Sequence, residues 1–270
     1  MELRNNKLRF DLDLDLDREL KRQPFRQPFI EPANDFQLGV GTGGGDEGGF
    51  NEGLGEEIEG TIGPDEGVLG TEGHDQINTF GGNDTVFALG GNDIVLLGSG
   101  DDFALGYSGH DRIEGEAGDD LISGDTGNDV LNGGSGNDTL VGDRGNDVLT
   151  GVNDESPNPG TNEIDFLTGD NSFTDPGADR FILGSVGKVF YRRSSSSSSA
   201  YGTEDFALIE DYQPGIDNIV LHGTPNDYIL GNSPTSAVQG TNIYYSDEGT
   251  LDLIGIVEGV DSNEIDLTFI

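Results

Sequence analysis

Nine aspartates recur at one fixed spacing without a slip: Asp75, Asp84, Asp93, Asp102, Asp111, Asp120, Asp129, Asp138 and Asp147. An ionised carboxylate only accepts hydrogen bonds, so a ladder of them either repels itself or is bridged by cations. Each aspartate has a glycine two positions before it: Gly73, Gly82, Gly91, Gly100, Gly109, Gly118, Gly127, Gly136 and Gly145. Each has an aliphatic residue two positions after it, from Ile77, Val86 and Val95 through Ala104, Ile113 and Ile122 to Leu131, Leu140 and Leu149. A solvated acidic linker would not hold an aliphatic side chain at one phase, so the pattern describes a folded repeat.

The elements that position these carboxylates follow from the spacing. A glycine-rich stretch permits positive φ and close backbone approach, which makes a turn. The three residues around the aliphatic position make a minimal strand with its central side chain inward. Two copies then make one coil with two facing strands, and Asp75 lies above Asp93 on one edge as Asp84 lies above Asp102 on the other. Two aliphatic side chains per coil are a thin core. No cysteine is present to reinforce it, and 52 acidic against 13 basic residues give a net charge of −39. That surplus excludes nucleic acid and anionic membrane surfaces as partners and points to cations.

The segment "GGSGNDTLV", Gly133 to Val141, fits at every position the pattern G-G-x-G-x-D-x-U-x. In this it resembles the hemolysin-type repeats of the repeats-in-toxin (RTX) family, which form a calcium-bound parallel β-roll. The resemblance implies an all-β fold, a nonapeptide solenoid, and calcium as its cofactor. Calcium takes 6 to 8 oxygen ligands at about 2.3–2.6 Å. Stacked turns offer such a set from two aspartates and from backbone carbonyls of the glycines at 73, 82, 91, 100, 109, 118, 127, 136 and 145. Magnesium's stricter octahedron suits a backbone-built cage less well. Departures occur where Thr79, Ala88 and Leu97 replace the first glycine of the motif. Asp165, with Leu167 two positions on, reads as one resumed copy, and "PGADRFILG", Pro176 to Gly184, offers a last glycine, aspartate and core aromatic at Gly177, Asp179 and Phe181. Nine turns stacked two copies apart predict about seven ions, or eight with Asp165.

The rest of the chain is organised around this roll, placed at 61–152. Residues 1–60 read as a disordered N-terminal arm that ends in a flexible glycine-rich linker from Gly39 to Gly60. Within the arm, Asp11 to Arg22 lacks the glycine and glutamate of an EF-hand loop. Residues 153–176 read as an irregular loop, and 177–270 as a β-rich capping domain. The stretch "IEDYQPGIDNIVL", Ile209 to Leu221, is similar to the segment that follows the roll in serralysin-type secreted proteases. The tail Asp266, Leu267, Thr268, Phe269 and Ile270 resembles the uncleaved C-terminal signal of members exported by a type I secretion apparatus. That resemblance implies a secreted, extracellular or cell-surface protein. The chain shows no N-terminal h-region and no apolar run long enough to span a bilayer.

Catalytic signatures are missing. There is no H-E-x-x-H, no G-x-S-x-G, and only His74, His110 and His222. The expectation is therefore a calcium-binding structural or surface module and not an enzyme. The alternatives are an accessory domain acting with a separate enzyme, and a calcium-dependent glycan binder.

Overall fold

The computed structural model describes residues 55–156, 159–170, 177–192, 205–232, 239–247 and 250–270. The expected N-terminal arm, through residue 54, lies outside them. Two long sheets face each other. The first runs, in spatial order, through Glu57–Glu59, Gln76–Asn78, Ile94–Ser99, Arg112–Ala117, Val130–Ser135, Val148–Val152, Arg180–Ile182, Asn218–Leu221 and Leu267–Phe269. The second runs through Val68–Leu69, Thr85–Phe87, Phe103–Ser108, Leu121–Thr126, Thr139–Arg144, Ile164–Thr168, Phe206–Glu210 and Thr250–Glu258. Every one of these neighbours pairs in parallel, in the same order as the chain, which makes the fold a parallel β-roll.

Between Gln76 and Val148 the register advances by two copies of the motif per coil, from Gln76↔Ile94 to Val130↔Val148. This places the aliphatic residue of each copy directly over that of the previous coil. Ile77, Val95, Ile113, Leu131 and Leu149 from the first sheet meet Val86, Ala104, Ile122 and Leu140 from the second, all at 0–1% exposure. The pleat turns the flanking residues outward. On the outer face of the second sheet Phe103 pairs with Leu121, and the Phe87 and Phe103 rings stand edge to face with centroids 6.1 Å apart.

Domain boundaries differ from those expected. Glu57–Glu59 already pairs with Gln76–Asn78, so the roll begins inside the stretch read as a linker. It does not end at residue 152 either. Parallel pairing continues, at wider and unequal register steps, through Thr139↔Phe166, Val148↔Arg180, Arg180↔Asn218, Ile164↔Phe206 and Ile219↔Leu267. The capping segment is therefore largely more roll, with longer connections between strands. Its non-repeating part is the end of the second sheet, where Gly240–Asp247 pairs antiparallel with Thr250–Glu258 and with Tyr228–Asn232. The tail Leu267–Phe269 is the last strand of the first sheet. Among the described residues no helix is long and apolar enough to cross a membrane.

Candidate metal centre

Each turn joins a strand of one sheet to a strand of the other, and the aspartate closes it. The residue four before the aspartate adopts left-handed backbone: Phe80, Leu89, Tyr107, Glu116, Asp125 and Asp143 have φ of 64–77°. Non-glycine residues are sterically strained there, so something must hold the turns closed. Part of the answer is a hydrogen-bond ladder. The backbone N–H of Asp75 donates to Oδ1 of Asp93 at 2.8 Å, Asp93 to Asp111 at 2.8 Å, Asp111 to Asp129 at 2.8 Å and Asp129 to Asp147 at 2.7 Å. On the other edge Asp84 donates to Asp102, Asp102 to Asp120, Asp120 to Asp138 and Asp138 to Asp165. All ten aspartates named from the sequence are at most 3% exposed, in two rows.

The first row runs on past Asp147, through Asp179 of the last copy read from the sequence, to Asp217, which the sequence reading did not name. Asp147 donates to Asp179 and Asp179 to Asp217, each from its backbone N–H to Oδ1. Both carboxylates sit in register with Asp147 along the same edge. Each is followed two positions later by a buried core residue, Phe181 and Ile219. That surviving aspartate-to-core spacing is the signal that locates them.

The second carboxylate oxygen decides the chemistry. Oδ2 of Asp84, Asp93, Asp102, Asp111, Asp120, Asp129, Asp138, Asp147 and Asp179 is buried and has no hydrogen-bond partner. A buried, unpaired anionic oxygen is costly. Burial pushes Asp102 and Asp147 up to about 6, Asp93 and Asp120 to about 7, Asp129 and Asp179 to about 8, and Asp138 to about 9, against the pull of the ladder hydrogen bond. In the closed roll without a cation, Asp129, Asp138 and Asp179 therefore favour the protonated form at neutral pH. A divalent ion supplies the positive charge that lets them ionise while buried.

The surroundings of Oδ2 fit a hard cation. A Cβ built on the first glycine of the motif would stand 2.2 Å from Asp120 Oδ2 and 2.3 Å from the Gly133 carbonyl oxygen at Gly115, and 2.5 Å and 2.9 Å from Asp111 Oδ2 and the Gly124 carbonyl at Gly106. Missing side chains thus leave a cradle between a carboxylate oxygen and the carbonyl of the next coil. Among the described residues no three His, Cys, Asp or Glu side chains gather as a metal cluster, so backbone oxygens must complete any ligand set. The carbonyls facing the cradle belong to the first glycines, which the sequence reading did not single out. The glycines it did name have a second duty: the Gly91 carbonyl lies 1.4 Å from where a Cβ on Gly109 would stand, with Gly109 at φ 141°.

The residue before each aspartate forms a second ladder. Asn92 Oδ1 accepts the His110 N–H at 2.9 Å, His110 Nδ1 accepts the Asn128 N–H at 2.8 Å, and Asn128 Oδ1 accepts the Asn146 N–H at 2.8 Å. His74 Nδ1 accepts the Asn92 N–H, and His222 Nδ1 that of Gly187. All three histidines are thus engaged in holding backbone.

Residues 68–95, 96–131, 105–140 and 123–152 match the family described as RTX calcium-binding nonapeptide repeat (4 copies). The chain matches no curated protein significantly. Among solved structures, the AlgE6R3 subunit of the Azotobacter vinelandii mannuronan C5-epimerase is similar at 20% identity, over 77% of this chain and 83% of that one, with a TM-score of 0.24. Over residues 68–152 the stacked turns match RTX calcium-binding nonapeptide repeats, and calcium is the ion such repeats bind.

Proposed function

We propose that this chain is a secreted, non-enzymatic calcium-binding module whose β-roll folds when calcium enters its stacked turns. The observation that carries the reading is the set of nine buried, unpartnered Oδ2 atoms. In a calcium-poor compartment the open chain keeps them ionised, and closing the roll would bury their charges side by side, so the chain stays open. Where calcium is plentiful they are neutralised and the coils close. Stacking the turns two copies apart gives an expected count of about seven ions, or eight with Asp165. An open chain inside the cell suits passage through a type I secretion apparatus, with Asp266, Leu267, Thr268, Phe269 and Ile270 as its signal. Three of them, Leu267–Phe269, also form a roll strand, so the signal is best tested by fusing the tail to a reporter and measuring its export.

The decisive measurement is a calcium titration followed by far-UV circular dichroism and calorimetry. The expected result is a cooperative gain of β structure with several ions bound. An unchanged spectrum on adding chelator would sink the proposal.

A second reading is calcium-dependent glycan binding. It is favoured by a groove of about 810 Å³ along the first sheet, lined by Phe80, Arg112, Glu114, Asn132 and Asp154 among others. Retention on polysaccharide columns that is lost with chelator would establish it. The accessory role, with a separate enzyme as partner, would show as a stable complex in pull-down.

A further inference from the structure

The buried aspartates are not equivalent. At the row ends Oδ2 is already satisfied by the protein: Asp75 by the Thr71 hydroxyl and N–H, Asp217 by the Gln213 N–H at 2.7 Å, and Asp165 by the Tyr191 hydroxyl at 2.6 Å. Tyr191 is fully buried. Its hydroxyl oxygen stands 2.3 Å from where a Cβ on Gly151 would be, as does Asp165 Oδ2. The hydroxyl therefore fills the place that the neighbouring turns leave open. Beyond Asp165 the next residue in register is Ala207, so the row stops there.

A second difference lies at the first position of the motif. Glycine stands there for Asp111, Asp120, Asp129, Asp138 and Asp147, namely Gly106, Gly115, Gly124, Gly133 and Gly142, and Gly169 does the same for Asp179. In all six, an added Cβ would stand 2.2–2.5 Å from the aspartate's Oδ2, closer than any real contact. For Asp84, Asp93 and Asp102 the same position carries Thr79, Ala88 and Leu97, each fully buried. Thr79 also donates its hydroxyl to the Leu97 carbonyl at 2.7 Å, which occupies the carbonyl that would face the Asp84 cradle.

Resting on the calcium reading above, we propose that ions load only the six glycine-floored cradles, at Asp111, Asp120, Asp129, Asp138, Asp147 and Asp179. In the three early copies a buried side chain occupies the ion's space while Oδ2 itself stays unpaired, and at Asp165 the Tyr191 hydroxyl takes the ion's place. The roll is then a hybrid: its early coils are filled by side chains, its middle by calcium, and its end by a tyrosine hydroxyl.

The experiment counts calcium per chain on the full protein by elemental analysis after gel filtration, alongside calorimetric titration. The wild type is expected to hold one ion for each of the six cradles. Gly133→Ala should hold one fewer, because Gly133 lies outside the left-handed region and its new methyl disturbs only the Asp138 cradle. Ala88→Gly and Tyr191→Phe should each gain one, and these two keep the test intact if Gly133→Ala fails to fold. Seven or more ions in the wild type, or gains in neither of the latter variants, would overturn the proposal while leaving the calcium reading standing. No bound calcium at all would overturn both.

Discussion

Asp129→Asn isolates what an ion contributes, because it alters charge and almost nothing else. Asparagine keeps an Oδ1 that accepts the Asp111 N–H, now made at 2.8 Å, so the ladder survives. What it removes is the anionic Oδ2, buried without a partner, which stands 2.3 Å from where a Cβ on Gly124 would be. A site held at a hundredfold its dissociation constant contributes about 2.7 kcal/mol. Losing it should lower the melting temperature by roughly 5–10 °C for a chain of this size. The diagnostic is how that gap depends on calcium. Linkage makes the ion's contribution fall by about 1.4 kcal/mol for each tenfold drop in free calcium, so the two melting curves should converge as calcium is withdrawn. At low calcium the variant should equal or exceed the wild type, since burial pushes the wild-type carboxyl up to about 8 and the amide carries no such penalty. The assay is thermal melting across a series of calcium buffers. A gap that stays constant would mean that the carboxylate acts through protein contacts alone, and the reasoning would fail.

Three further outcomes are expected. In calcium-depleted buffer the roll should gain structure as pH falls: Asp93, Asp102, Asp129 and Asp138 lie above the ordinary 3.8 when folded, so the folded state binds more protons and loses stability as pH rises from there through about 6–9. Calcium affinity should rise over the same range, and a flat dichroism profile would contradict this. Leu131→Ala, at a fully buried position, should cost about 2–5 kcal/mol in denaturant titrations with saturating calcium, whereas Val130→Ala, on the outer face, should stay within about 0.5 kcal/mol. His110→Ala should cost about 0.5–1.5 kcal/mol by removing the acceptor for the Asn128 N–H, and His110→Asn should restore it, since Asn92 and Asn128 do the same work one coil away.

The regular part of the roll was legible because three kinds of residue recur at one phase and each has a separate physical cause: closing the turn, filling the core, and binding the ion. Past Gly151 those causes persist in part but their spacing does not. Asp179 still precedes the buried Phe181, and Asp217 the buried Ile219, yet the steps Val148↔Arg180 and Arg180↔Asn218 are each longer than the two-copy step before them, and unequal. Parallel pairing needs only that strands align, not that the connections between them be equal, so a period search loses a sheet that the backbone continues. The acceptor ladder was legible in principle. His74, Asn83, Asn92, Asp101, His110, Asp119, Asn128, Asn137 and Asn146 all carry an acceptor at the position before the aspartate. The composition of that column, rather than any one residue in it, carried the information.

Two glycines of a single copy have different duties that only the folded backbone separates. Gly133 and Gly136 look interchangeable in a pattern of glycines. Gly136 adopts φ of 129° and lies where a Cβ would stand 2.1 Å from the Gly118 carbonyl oxygen, so its identity is enforced by backbone conformation and by the neighbouring coil. Gly133 has ordinary backbone, and its Cβ would meet the Asp138 carboxylate at 2.3 Å. One glycine therefore keeps the coils close enough to stack, and the other keeps the carboxylate accessible to an ion. Alanine at 136 should weaken the roll at every calcium concentration, because the clash is with backbone. Alanine at 133 should weaken it most where calcium would otherwise bind, because its methyl displaces the Asp138 side chain and not backbone. Melting the two variants with and without calcium separates these roles, and equal losses under both conditions at residue 133 would place its glycine among the stacking residues instead.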